Sequence, residues 1–259
     1  TYLYVLKDKS DQIAIIDTRD NRMKQTATIT VEDVSEIQEM YLDIERNQLI
    51  AVCDGYVGGK WNDDDYGYGQ RANTTAVTYD ISDRENPKEV GRVSQSGYYN
   101  SSRIADGYLY LFSDYYVTLD GITAKNPKSY IPLVNDNLIK ETDICLPSIS
   151  KADMYSIITS VSLENPNETA HSKALLADGG NLYVSNDNIY FYENVWQYSG
   201  KDVTTIRKVS YESGELTAGA QCKIDGYIND SFSIDEYDGY LRVVVTDGDT
   251  NSVYVLNQE

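Results

Sequence analysis

The one histidine of this chain, His171, stands directly before Ser172. A Ser-His-Asp relay needs an imidazole to take the hydroxyl proton and an acid to orient it, and all three residue types are present. What is missing is the G-x-S-x-G elbow that lifts a nucleophile out of a strand-to-helix turn. A polar histidine at a strand edge explains His171 with fewer assumptions. Cys53, Cys145 and Cys222 lie far apart, form no C-x-x-C, and with His171 show no zinc-ligand spacing. Their odd number leaves at least one thiol free within a single chain, and buried structural thiols are the simplest reading. Gly58-Gly59 and Gly179-Gly180 are followed by no Lys-Ser/Thr and read as turns, not phosphate loops.

Carboxylates are abundant. Asp63, Asp64 and Asp65 form a run that would suit a hard, oxygen-seeking cation such as Ca²⁺. As an EF-hand loop the run fails, with Tyr68 where glycine belongs and Thr74 where the bidentate glutamate belongs. Asp247-Gly-Asp-Thr-Asn251 fails likewise, with Ser252 sixth and Gln258 twelfth. Solvated acidic turns are the alternative for both, and no other cofactor is expected. A carboxylate pair for glycosidic cleavage is compatible with 41 Asp plus Glu, but that abundance removes its specificity. Aromatic residues are a sharper signal: Trp61, Tyr66 and Tyr68 share one polar stretch, and Trp196 and Tyr198 share another. Aromatic side chains on loops held by a rigid scaffold bind sugars or peptides, although a chain with 24 Tyr also places some in loops by composition alone.

The elements that must carry these residues are strands. Tyr outnumbers Phe 24 to 3, and Tyr favours half-buried strand positions where its ring packs and its hydroxyl finds a partner. Strand-like runs begin at Tyr2, Gln48, Tyr108, Asn188 and Tyr240, and two of the four intervals approach the ~40–50 residues of a propeller blade. Second strands follow at Gln12–Asp17, Thr75–Asp80, Ile157–Leu163, Thr204–Tyr211 and Ser252–Leu256, and third strands at Lys24–Ile29, Lys88–Val93, Lys173–Ala177 and Ala218–Ile224. Gly97-Tyr98 leading to Asp106-Gly107 matches Gly226-Tyr227 leading to Asp238-Gly239. In each, Gly-Tyr is expected to open an innermost strand and Asp-Gly to make a tight hairpin turn. These repeats predict an all-β fold, a β-propeller of four-stranded antiparallel blades. One domain over 1–259 divides into a partial blade at 1–31, blades at about 36–93, 99–177 and 181–224, and a partial blade at 227–259. Long loops at Asp54–Asn73 and Val117–Tyr155 interrupt it. Because the chain starts and stops inside strands, an incomplete ring and a longer parent protein are expected. An open ring would invite an edge-mediated dimer.

With those repeats in place, the chain resembles the secreted bacterial and archaeal β-propeller domain proteins distantly related to WD-type repeats. The resemblance rests on Val77-Thr-Tyr-Asp80-Ile-Ser-Asp83 with Asn86-Pro87, on Tyr183-Val-Ser185 with Asn188-Ile-Tyr190, and most specifically on Ser231-Phe-Ser-Ile-Asp-Glu-Tyr237 with Gly239-Tyr-Leu-Arg242. It implies an exported, extracellular or envelope-associated protein of the Gram-positive type, with no family catalytic residues to carry over.

A formal net charge of −19 repels phosphate backbones and anionic lipid, so nucleic acid and membrane surfaces are poor partners. No stretch approaches the ~20 apolar residues of a membrane-spanning helix. The leading expectation is a binding or scaffold module for a protein, peptide or glycan at the loops bearing Trp61, Tyr66, Tyr68, Trp196 and Tyr198. The alternative is an Asp/Glu-dependent hydrolase or lyase of cell-surface polymers, calcium-assisted through Asp63, Asp64 and Asp65.

Overall fold

The computed structural model describes all residues except 9–10, 20–22, 57–71, 118–121, 124, 147–151, 178–179, 197–201 and 258–259. Five sheets, antiparallel except for one short parallel pairing, follow one another along the chain. The first holds β1 (Tyr2–Leu6), β2 (Gln12–Asp17) and β3 (Lys24–Thr30). In the second, β4 (Glu36–Asp43), β5 (Gln48–Tyr56), β6 (Ala72–Asp80) and β7 (Lys88–Ser96) lie side by side in chain order. The third begins with β8 (Tyr98–Ala105) and β9 (Tyr108–Tyr116). After the short strands β10 (Leu133–Val134), β11 (Asn137–Leu138) and β12 (Ile144–Cys145), it is completed by β13 (Met154–Ser162) and β14 (Thr169–Ala177). The fourth is β15 (Asn181–Val184), β16 (Asn188–Trp196), β17 (Asp202–Glu212) and β18 (Glu215–Asp225), and the fifth is β19 (Ile234–Tyr237), β20 (Tyr240–Asp247) and β21 (Thr250–Leu256).

Local chemistry sets the hairpins. Asp106-Gly107, Ser213-Gly214 and Asp238-Gly239 each place two successive residues at positive φ, the two-residue turn whose twist matches paired strands. The matching of Gly97-Tyr98 with Gly226-Tyr227 holds only in part. Tyr98 opens β8, whereas Tyr227 makes an isolated bridge to Thr246 and the strand proper waits until Ile234. Asp230 is the cause: its carboxylate accepts from the Phe232 amide at 2.9 Å and caps a 3-10 turn over Ser231–Ser233.

The insertion between β9 and β13 is divided between two sheets. Val134 of β10 pairs with Gln95 of β7, extending the second sheet, while β12 pairs in parallel with β14 in the third.

Four apolar cores lie between successive sheets. Ile13, Ile15 and Ile29 meet Leu49 and Val77; Val52 and Val93 meet Leu109 and Ile157; Phe112 and Ile158 meet Ile189 and Val209; Tyr192 and Ile206 meet Leu241 and Val243. Each fully buried aliphatic side chain contributes about 1.5–3 kcal/mol relative to exposure, so these seams hold the sheets together. Among the described residues no core joins the fifth sheet to the first, and the five sheets form an open arc. No helix among them is long and apolar enough to cross a membrane.

Candidate functional site

Strand direction places the connections. In the second, third and fourth sheets the second strand is nine residues long and ends on an aromatic residue: Tyr56, Tyr116 and Trp196. Each is paired with the start of the third strand, Tyr56 with Ala72, Tyr116 with Met154 and Trp196 with Asp202. Antiparallel order therefore brings the second-to-third connections of all three sheets, and the links from one sheet to the next, to one face of the arc. Tyr116 is 48% exposed and Trp196 64%. Of the residues singled out from sequence, Trp61, Tyr66, Tyr68 and Tyr198, with Asp63, Asp64 and Asp65, lie outside the described residues. Trp196 does not, and it sits on the same face as Tyr56 and Ala72, the ends of the segment that carries Trp61.

Two residues before each aromatic lies a polar latch that repetition alone would reveal. Asp54 accepts from the Tyr99 amide of the next sheet at 2.7 Å and from Gln38 Nε2 at 3.0 Å. Asp114 accepts from Asn100 Nδ2 at 2.7 Å and from Ser156 Oγ at 3.1 Å, and a Cβ on Gly180 would lie 2.4 Å from its Oδ2. Asn194 clasps Ile228 from both sides, Nδ2 donating to the carbonyl at 2.8 Å and Oδ1 accepting from the amide at 3.1 Å. The third strand adds Thr74 Oγ1 donating to Gly97 O and Thr204 Oγ1 donating to Gly226 O, at 3.0 and 2.7 Å. Burial pushes the Asp54 and Asp114 carboxyls above the ordinary carboxylate value. Raised carboxyls in a cleft suggest acid catalysis, but these two are engaged in structure: Asp54 bonds the next sheet directly, and Asp114 holds Asn100, whose Nδ2 also donates to Gly180 O at 2.8 Å.

A groove of about 510 Å³ opens beside Tyr56, lined by Asp33, Asn73, Thr75, Ser94, Ser96 and Asp136 among others. Arg92 also borders it, with its guanidinium held by Glu89 Oε1 and Oε2 at 2.9 Å each and by Glu32 O at 3.3 Å. Hydroxyls, an amide and two carboxylates dominate this lining.

The family model for the beta propeller domain matches residues 1–259. The chain belongs to this family. An uncharacterised protein of Methanocaldococcus jannaschii is 34% identical over 83 residues, which is 29% of this chain and 12% of that protein. An uncharacterised protein of Archaeoglobus fulgidus is 32% identical over 90 residues, 34% of this chain and 14% of that protein. The matched region thus spans a small part of these relatives' length. Among solved structures, Kuenenia stuttgartiensis hydrazine synthase is similar at a TM-score of 0.44 and 10% identity, over 100% of this chain and 68% of that one. The WD40 domain of Toxoplasma gondii coronin gives 0.33 and 9%, over 100% and 68%.

In this beta propeller domain His171 is a tie between elements. Its Nδ1 lies 3.1 Å from Glu215 Oε2 and accepts from the Leu216 amide at 3.1 Å, while Nε2 faces Asp143 Oδ1 at 3.4 Å. Lys173 Nζ donates to the same Asp143 oxygen at 3.3 Å. Among the described residues no serine or threonine hydroxyl is hydrogen-bonded to the ring; the Ser172 hydroxyl bonds Thr159 Oγ1 at 3.1 Å instead. With a carboxylate on each ring nitrogen, the group does not converge on a point where a metal would sit. Cys53 is buried in the propeller's first core, and burial pushes its thiol up to about 12, far from a reactive thiolate. Asp247 and Thr250 pair across a two-residue turn in which Gly248 takes φ 58°, so the second calcium-like stretch serves as a hairpin.

Proposed function

We propose that this propeller is a non-enzymatic binding module, working outside the cell, that takes a protein, peptide or glycan on the face where Tyr56, Tyr116 and Trp196 end their strands. The observation that carries the reading is the repetition: three successive sheets deliver an aromatic residue to the same place on the same face. A rigid scaffold with such strand ends presents ready contact surface at small entropic cost, because aromatic side chains have few rotamers to lose. The polar groove beside Tyr56 supplies hydrogen-bonding groups next to that surface. The extracellular setting rests on the family resemblance of the sequence.

The test is a carbohydrate and peptide array probed with the wild-type chain, with Trp196→Ala, and with a chain lacking residues 58–69. Binding to at least one class, lost or weakened on the order of tenfold in both altered chains, is expected for an aromatic anchor. Array binding that survives both changes would refute the site.

A further inference from the structure

We infer that the ligand of this face is an extended glycan, neutral or bearing amino sugars, laid across successive sheets with its rings on Tyr56, Tyr116 and Trp196. This rests on the binding reading above and narrows it to one ligand chemistry.

Three observations point the same way. The first is the register of the aromatics. All three hold the ninth place of equivalent strands, and the row stops in the fifth sheet, where Gly248 follows β20 at the same place. Face-to-face sheets pack about 10 Å apart, so equivalent rings recur along the arc at a step of that order. A β-1,4-linked chain turns the same face to one side at every second sugar, and alternate sugars can therefore meet successive rings. Sugar C–H faces are electron-poor and suit the negative face of an aromatic ring.

The second is the lining of the groove. The half-buried Ser94 and Ser96 border the groove with hydroxyls, which both donate and accept, and Asn73 adds its amide, a polar lining that matches sugar hydroxyls better than apolar peptide side chains. A peptide docking by strand addition would need a free strand edge, and the outer edge of β7 beside the groove is occupied. Asn135 pairs with Ser94 through both its amide and its side chain, and the Asn167 side chain pairs with Arg92 N and Val90 O.

The third is charge. Asp33 and Asp136 border the groove, the Arg92 guanidinium is held by Glu89, and the whole chain carries −19. Such a field repels uronic-acid and sulfated polymers and attracts ammonium groups.

The experiment is calorimetric titration with three hexasaccharides, a neutral β-1,4-glucan, a chitosan oligomer and an oligoguluronate, together with the shorter members of the neutral series. The neutral or the chitosan hexamer is expected to bind and the oligoguluronate not to bind. Affinity should climb by on the order of tenfold or more from disaccharide to hexasaccharide. Tyr116→Ala and Trp196→Ala should each weaken the hexamer by on the order of tenfold and flatten the length dependence. Both exposed substitutions should leave thermal melting unchanged. Preferential binding of the oligoguluronate, affinity independent of length, or indifference to Tyr116→Ala would overturn the inference. If no oligosaccharide binds while an array peptide is lost in Trp196→Ala, the glycan inference falls and the binding face stands. If Trp196→Ala and the 58–69 deletion leave every array signal intact, both fall.

Discussion

Asp54, Asp114 and Asn194 hold the seventh place of their strands, and each helps tether the chain leading to the next sheet, yet two are acids and one an amide. Asp54 and Asn194 bond its backbone directly, and Asp114 acts through Asn100, whose Nδ2 also donates to Gly180 O at 2.8 Å. That natural variation predicts what Asp114→Asn does. The carboxyl of Asp114 is raised by burial above its ordinary 3.8, so the folded state binds its proton more tightly than the unfolded state does. The resulting stabilisation is complete below 3.8 and is lost as pH rises through the raised value. Asn carries no such titration and keeps an oxygen for Asn100 Nδ2. Chemical denaturation should find Asp114→Asn within about 1 kcal/mol of wild type or above it near neutrality, its advantage growing as pH rises above the ordinary carboxylate value of 3.8. Asp114→Ala removes the acceptor of Ser156 Oγ and one of the two acceptors of Asn100 Nδ2, the other being Gly180 O at 2.8 Å, and should cost about 1–3 kcal/mol. A D114N protein as damaged as D114A would show that the charge itself is needed. These latches were hidden in the sequence because acids are so common. Only aligning Gln48, Tyr108 and Asn188 as strand starts brings Asp54, Asp114 and Asn194 into one column.

At the scale of elements, strands and turns were legible because alternation and Asp-Gly turns are local, whereas edge protection is not. The outer edge of β7 is capped by side chains distant in sequence: Asn167 Oδ1 accepts from Arg92 N at 3.1 Å and its Nδ2 donates to Val90 O at 2.8 Å. This amide imitates a paired strand and closes an edge that would otherwise recruit another chain. Gly91 fits the same contact, since a Cβ there would lie 2.5–2.6 Å from Pro166. Asn167→Ala should lower stability by about 1–2 kcal/mol in urea unfolding and raise thioflavin-positive aggregate on prolonged incubation. Unchanged stability would mean that water replaces the amide. The insertion after β9 was read from sequence as a long loop within one blade, and its split between two sheets could not be seen, because Val134 meeting Gln95 depends on packing across 39 residues of chain. His171 escaped for the same reason: Asp143 and Glu215 reach it from two other elements.

Across the whole molecule, five sheets share four cores, and the two end sheets turn apolar side chains outward. Leu3 and Val5 are exposed on the first, and Val244, Val253 and Val255 on the fifth, the last two at 68% and 61%. Inner sheets bury the corresponding faces, so in solution this arc should associate with itself as concentration rises. Sedimentation velocity should report that rise for the wild-type chain and a constant monomer for Val253→Lys with Val255→Lys. A wild-type monomer at every concentration would contradict it. The aromatics Tyr56, Tyr116 and Trp196 stand at strand ends of the three inner sheets, not on the outward faces of the two end sheets, so this association should leave them available. Their role is tested most directly by hydrogen–deuterium exchange with and without a neutral β-1,4-linked hexasaccharide. Added protection is expected at the strand ends near 56, 116 and 196, with none at the opposite turns 106–107, 213–214 and 238–239. Protection confined to those opposite turns, or to the end sheets, would contradict it.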